Sequence, residues 1–200
     1  MKKNFFIQIS LILILLLYPT GGNAYSSDPK EFISEIVIDT KKILNSNESK
    51  EIKSQKLSNL ALSIVDIEGI AFYTLGKYRK SLNAEQKSEY LLLFEKYFLK
   101  SFTSRLTDHS NPKIDVLDVE VINEKYTIVN SVLLATSERP EIKINWRVYT
   151  KDPDKPIIRD LSIEGLSLAR TQKEEFASII ETNNGEISGL FDKLKEFINK

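Results

Sequence analysis

The apolar positions of this chain follow a helical period in the first half, a period of two in the middle, and a helical period again to the end. Pro29 opens the first helix, in which Phe32, Ile33, Ile36, Val37, Ile43 and Leu44 recur three and four residues apart. A second helix is expected over about 52–62. Asp66 then suits the N-cap of a short helix through Ile70 and Ala71, which Gly76 can end by supplying a left-handed residue. Asn83-Ala-Glu-Gln86 reads as a capping box and opens a long helix to about Leu106. Leu91, Phe94, Phe98 and Phe102 line one side of it, and Leu92, Leu93, Tyr97 and Leu99 widen that surface, so the helix must be covered on two sides.

Beyond Pro112 the side chains alternate. Segments 114–121 and 126–135 flank a short Asn123-Glu-Lys connection, and Ile142, Ile144, Trp146 and Val148 alternate with Lys143, Asn145, Arg147 and Tyr149. A fourth strand follows the turn-like Lys151-Asp-Pro-Asp-Lys-Pro156 and runs through Ile163. Helices return over about 172–180 and 187–198, broken by Asn183-Asn-Gly185. Helices before and after four strands joined by short loops predict an α+β fold, with a four-stranded antiparallel sheet packed on one face by the N- and C-terminal helices.

The N-terminus adds a destination. Lys2 and Lys3 precede an apolar run over 5–18, and Gly22-Asn-Ala24 gives the small-x-small end of a cleavable secretory signal. The run is shorter than the ~20 residues of a bilayer span. Residues 1–24 are therefore expected to be a signal peptide and 25–200 a single domain, placed in the periplasm. With no cysteine in the chain, neither a lipid-modified cysteine nor a disulfide is available. Basic and acidic side chains number 28 each, and loss of Lys2 and Lys3 leaves 26 basic (28 − 2) against 28 acidic. That balance argues against nucleic acid as a partner and against permanent adhesion to anionic headgroups.

Catalytic chemistry finds little support. His109 is the single histidine and sits in a polar Ser/Asn/Pro loop, which suits a solvated residue better than a base. Common zinc and thiol chemistries lack their residues. The pairs Asp66/Glu68 and Asp160/Glu164 suggest acid and base roles, but a helix cap and solvent-facing strand positions explain them more simply. No glycine-rich phosphate loop occurs. No cofactor or metal is expected.

Three segments carry a resemblance: Ile64-Val-Asp-Ile-Glu-Gly-Ile-Ala, then Leu75-Gly-Lys-Tyr-Arg, then Asp160-Leu-Ser-Ile-Glu-Gly-Leu-Ser-Leu, running on through Arg170 to Phe176. In that order and spacing the chain resembles the MlaC (toluene-tolerance) family of periplasmic phospholipid carriers. The resemblance departs in two places: Thr171, Gln172 and Lys173 stand where many members read Asn-Tyr-Arg, and Pro156-Ile-Ile stands where members often carry a tryptophan early in the last strand. It implies a curved sheet whose helices enclose an apolar cavity, with a bound phospholipid as cargo. It implies that Ile67, Ile70, Tyr78, Phe94, Phe98, Val132, Trp146, Val148, Leu161, Ile163, Leu166 and Leu168 face the lipid. Arg79, Arg147 and Lys173 become candidate headgroup or partner contacts, since cations suit phosphates.

The implied role is a monomeric shuttle that maintains outer-membrane lipid asymmetry. It would move phospholipid between the outer membrane and an inner-membrane ABC transporter, approaching each membrane transiently. The implied partners are an MlaA-type outer-membrane lipoprotein and an MCE-domain (MlaD-type) ring. Two acyl chains bury about thirty methylenes, a gross transfer of ~25 kcal/mol from water that the bilayer nearly matches. Such a carrier needs an apolar interior comparable to the bilayer and few polar contacts. The alternative is a periplasmic module whose groove engages a protein or peptide; a hydrolase using Asp66 or Asp160 comes third.

Overall fold

The computed structural model describes residues 25–107, 112–137 and 139–200; the expected signal at 1–24 and His109 lie outside them. Helix α1 (Pro29–Leu44) starts where the Asp28 carboxylate accepts from the backbone N–H of Lys30 and Glu31, both at 2.9 Å. Ser49 caps α2 (Lys50–Ile64), and Asp66 caps α3 (Ile67–Leu75) by accepting from Gly69 N at 2.9 Å. Each cap satisfies a donor that the helix itself leaves free.

Gly76 does end α3 with a positive φ of 54°, but its ψ of −124° lies outside the left-handed helical well. The chain turns instead into a 3-10 segment, Gly76–Lys80. Helix α4 (Ala84–Thr107) opens with the expected reciprocal pair: Gln86 N donates to Asn83 Oδ1 at 2.8 Å, and Asn83 N donates to Gln86 Oε1 at 3.1 Å.

Strands β1 (Ile114–Asn123), β2 (Tyr126–Leu133), β3 (Ile142–Tyr149) and β4 (Ile157–Ile163) form an antiparallel meander in chain order. A fifth strand, β5 (Leu166–Ser167), adds to the expected four. Glu164 and Gly165, at φ 50° and 80°, make the tight turn that folds it back on β4. Two successive positive φ values are what a two-residue hairpin of this hand requires. Helix α5 (Leu168–Thr182) then begins four residues ahead of the expected 172, because Ser167 caps it by accepting from Arg170 N at 3.0 Å. Asn184 and Gly185, both left-handed, separate it from α6 (Ser188–Asn199).

The register sorts the sheet into two faces. Val129 lies opposite Trp146, Thr127 opposite Val148, and Ser131 opposite Ile144; across the next ladder Val148 meets Ile158, Trp146 meets Leu161, and Ile144 meets Ile163. Residues directly opposite share a face. This face is the inner one, since Val129 and Val148 are wholly buried and join one hydrophobic cluster with Phe32, Ile33 and Ile36 of α1 and Ile67 and Ile70 of α3. The sheet is approached by α1, α3 and α5, while α4 packs on α2, α3 and α6. Phe94 is the hub of that helical layer, with ring centroids 5.8 to 6.3 Å from Tyr90, Tyr97, Phe98 and Phe176.

Candidate functional site

Alternation places apolar side chains along the inner face of β1 to β4, interrupted by the small hydroxyl residues Thr127 and Ser131, both buried. The polar handle of Trp146 is satisfied inside the sheet: its Nε1 donates to Ser131 Oγ at 2.8 Å, and that hydroxyl donates to Ile144 O at 3.1 Å. The indole thus meets the helices with its apolar surface. An inner face on which the indole N–H and the Ser131 hydroxyl are already paired offers a ligand mainly hydrocarbon contact.

Ile67, Ile70, Phe94 and Val148 are buried in the core cluster, and Phe98 and Trp146 are half-buried against it. Leu161 and Ile163 stand on the inner face opposite Trp146 and Ile144, half-buried. The remaining positions sort differently. Val132 is out of phase with Val129 and Ser131, so it occupies the outer face, turned from the helices. Leu166 is 70% exposed in the two-residue β5, and Leu168 is exposed at the start of α5. Tyr78 is drawn to α5, where its hydroxyl donates to a Glu181 carboxylate oxygen at 3.0 Å.

The candidate cations also lie apart from the inner face. Arg147 projects from the outer face with its guanidinium 4.3 Å from the Tyr126 ring. Arg79 is exposed on the 3-10 turn, and the Lys173 ammonium lies 5.2 Å from the Tyr73 ring.

One carboxylate of each suspected pair, Asp66 and Asp160, has a structural role. Besides capping α3, Asp66 accepts from Arg159 Nε at 2.6 Å, and the same guanidinium donates to the Tyr126 hydroxyl at 3.1 Å and stacks 3.6 Å from the Tyr149 ring. Asp160 is not the solvent-facing residue expected. Its Oδ1 accepts from Leu161 N at 2.8 Å and Ala169 N at 3.1 Å, and its Oδ2 accepts from Ser167 Oγ, so one carboxylate pins β4, β5 and α5 together.

Titration inside the helical layer involves phenols. Burial pushes the Tyr90 phenol well above its ordinary value, and burial also raises Tyr97, whose hydroxyl donates to Gln172 Oε1 at 2.6 Å. Among the described residues no group of three His, Asp or Glu is arranged to hold a metal ion, and no helix is long and apolar enough to cross a membrane.

Two clefts of about 240 Å³ each open on the helical side. One is lined by Leu75, Gly76, Lys77, Tyr78, Lys173, Ala177 and Glu181, the other by Ile67, Glu68, Ala71, Leu91, Leu92 and Glu95. Each falls below the ~300–1,000 Å³ of ordinary ligand pockets, so neither accommodates two acyl chains as it stands. Sequence reasoning read Ile144 in the strand alternation without placing it at the site, and did not single out Val129 and Ile158 on the neighbouring strands.

A profile of the MlaC protein family matches residues 34–196. Among solved structures, a phospholipid-binding protein from Ralstonia solanacearum, determined in complex with a phospholipid, is similar to this chain with a TM-score of 0.66 at 18% identity. The match covers 84% of this chain and 92% of that one, and at such identity the likeness is one of fold. No curated protein matches the chain.

Proposed function

The chain belongs to the MlaC family, and from that premise we propose that it binds phospholipid in the periplasm and shuttles it between the outer membrane and an inner-membrane MCE-domain ABC transporter. Residues 1–24 are the secretory signal in this reading, and 25–200 form the lipid-binding domain. An MlaA-type lipoprotein and an MlaD-type ring are the docking partners. Family members are binding and transport proteins, and the lipid-bound Ralstonia protein has the same fold.

The observation that carries the reading is the inner sheet face. Trp146, Leu161 and Ile163 form a half-buried apolar row whose polar neighbours are already paired, facing a helical layer rich in phenylalanine. Since α1, α3 and α5 contact the sheet and α4 rests on other helices, acyl chains enter in this reading by parting the helical layer from the sheet. Each buried methylene of the lipid contributes ~0.8 kcal/mol, as it does in the bilayer, so lipid exchange is close to balanced and small partner effects set its direction. Phe98 and Phe102, stacked at 6.0 Å, and Trp146 are the walls of that opening.

The test is transfer of labelled phospholipid between donor and acceptor vesicles. The wild type accelerates it, as does a Val132→Glu variant with its charge on the outer face. Leu161→Glu, placing a charge among the acyl chains, abolishes it while retaining the far-ultraviolet circular dichroism of the fold. Equal transfer by both variants would remove the inner face from the account, and capture of a peptide by a lipid-free protein would favour the groove-binding alternative.

A further inference from the structure

The near-neutral charge of the chain hides a local imbalance at the corner where the 3-10 turn meets α5. Gly76-Lys-Tyr-Arg-Lys80 carries three exposed cations in five residues. At three residues per turn, Arg79 stands on the same side as Gly76, and Lys80 on the same side as Lys77. Gly76 in turn faces α5: a Cβ on it would lie 2.8 Å from Lys173 Cε, so the lysine stem crosses the bare backbone and sets its ammonium over Tyr73. Arg170, one turn before Lys173 on α5, extends the same side.

Lys77 alone of these is neutralised, by Glu181 at 3.2 Å, and its ammonium also lies 5.0 Å from the Tyr78 ring. Arg79, Lys80, Arg170 and Lys173 have no carboxylate partner among the described residues. Glu174 follows Lys173 but points about 100° round the helix from it.

We propose that the corner formed by Arg79, Lys80, Arg170 and Lys173, with the Tyr73 and Tyr78 rings between them, is the surface with which the protein docks transiently on an anionic phospholipid bilayer. The inference rests on the carrier reading and adds to its two protein partners a direct approach to the bilayers in which they sit. Unpaired lysine and arginine side chains on flexible stems suit a diffuse field of phosphates, and tyrosine is favoured at headgroup depth. Tyr73 is 44% exposed, and no large apolar wedge accompanies it, so contact is shallow. A cation near an anionic surface contributes about fivefold in partitioning at ~1 kcal/mol, strong enough to orient the protein and weak enough to release it.

The test uses protein purified from a cell envelope and flotation with vesicles of phosphatidylglycerol and phosphatidylcholine, or of phosphatidylcholine alone. The expected result is binding to the anionic vesicles, screened by about 0.5 M salt, and weakened roughly a hundredfold in Arg79→Gln/Lys80→Gln/Arg170→Gln. The variant keeps its thermal midpoint and whatever lipid the wild type carries, measured by native mass spectrometry. Equal binding of wild type and variant, or no preference for anionic over neutral vesicles, overturns the docking surface. So does salt-sensitive binding of this corner to an acidic protein with none to vesicles. Lipid occupancy is read separately, so the docking inference can fail while the carrier reading stands.

Discussion

Replacing Asp160 by alanine removes the acceptor that holds the β4, β5 and α5 corner. Oδ1 serves the N–H groups of Leu161 and Ala169, and Oδ2 serves the Ser167 hydroxyl, which is itself the cap of α5. Ala169 is 8% exposed, so its N–H has little water to turn to. A buried donor left alone costs about 1–3 kcal/mol, and loss of a negative charge beside a helix N-terminus adds about 0.3–1 kcal/mol. Together these terms come to about 1–4 kcal/mol, with the half-buried position of the carboxylate favouring the lower part of the range. For a chain of this size that lowers Tm by roughly 2–16 °C.

Asp160→Asn behaves differently. Its amide oxygen still accepts from both N–H groups, and the Ser167 hydroxyl rotates to accept from the amide nitrogen, so the expected loss is about 1 kcal/mol, mainly the charge term. Differential scanning calorimetry of the two variants gives the comparison. Equal loss for Asp160→Asn and Asp160→Ala, or none for Asp160→Ala, would refute the pinning role. Activity lost in Asp160→Asn with stability retained would return the residue to catalysis.

Three further outcomes follow from packing and titration. Phe94→Ala empties the centre of the aromatic layer and should cost about 3–5 kcal/mol in denaturant unfolding. Thr74 Oγ1 lies 2.8 Å from the Tyr90 hydroxyl and also donates to Ala71 O at 2.7 Å, so Thr74→Val, which orphans a buried phenol, should destabilise by about 1–3 kcal/mol and more than Tyr90→Phe does. The Tyr25 phenol, pushed up to about 12 mainly by burial and next by its hydrogen bond to Asp39, ionises at lower pH when unfolded. Its contribution is fully present below about pH 10 and lost as pH rises toward 12, so alkaline denaturation in that window should be shallower for Tyr25→Phe.

Local chemistry made much of the fold legible. Asp66 before an apolar run, and Asn83 paired with Gln86, mark helix starts through bonds a side chain makes within four residues, whereas the Asp28 and Ser49 caps emerged only in the fold. Alternation from Ile142 to Tyr149 gave the sheet and its apolar face. The start of α5 was missed because its anchor, Asp160, lies seven residues before the Ser167 cap and acts across a hairpin. Val132 was misplaced for a related reason: strand pattern sets alternation, but the core-facing phase is fixed only when Val129 and Ser131 find Trp146 and Ile144.

The signature segments Ile64 to Ala71 and Asp160 to Leu168 turned out to contain a brace and a corner, through Asp66 with Arg159 and through Asp160 with Ser167. Membership of the family motif therefore does not place a residue in the apolar interior. Leu166 and Leu168 illustrate this, being apolar in the sequence and exposed in the fold.

Native mass spectrometry of the protein, purified from a cell envelope without detergent and followed by identification of any extracted mass, tests the central claim most directly. The account predicts a stoichiometric phospholipid, released when the inner sheet face is charged by Leu161→Glu. A consistently empty protein that takes no lipid from vesicles would contradict it.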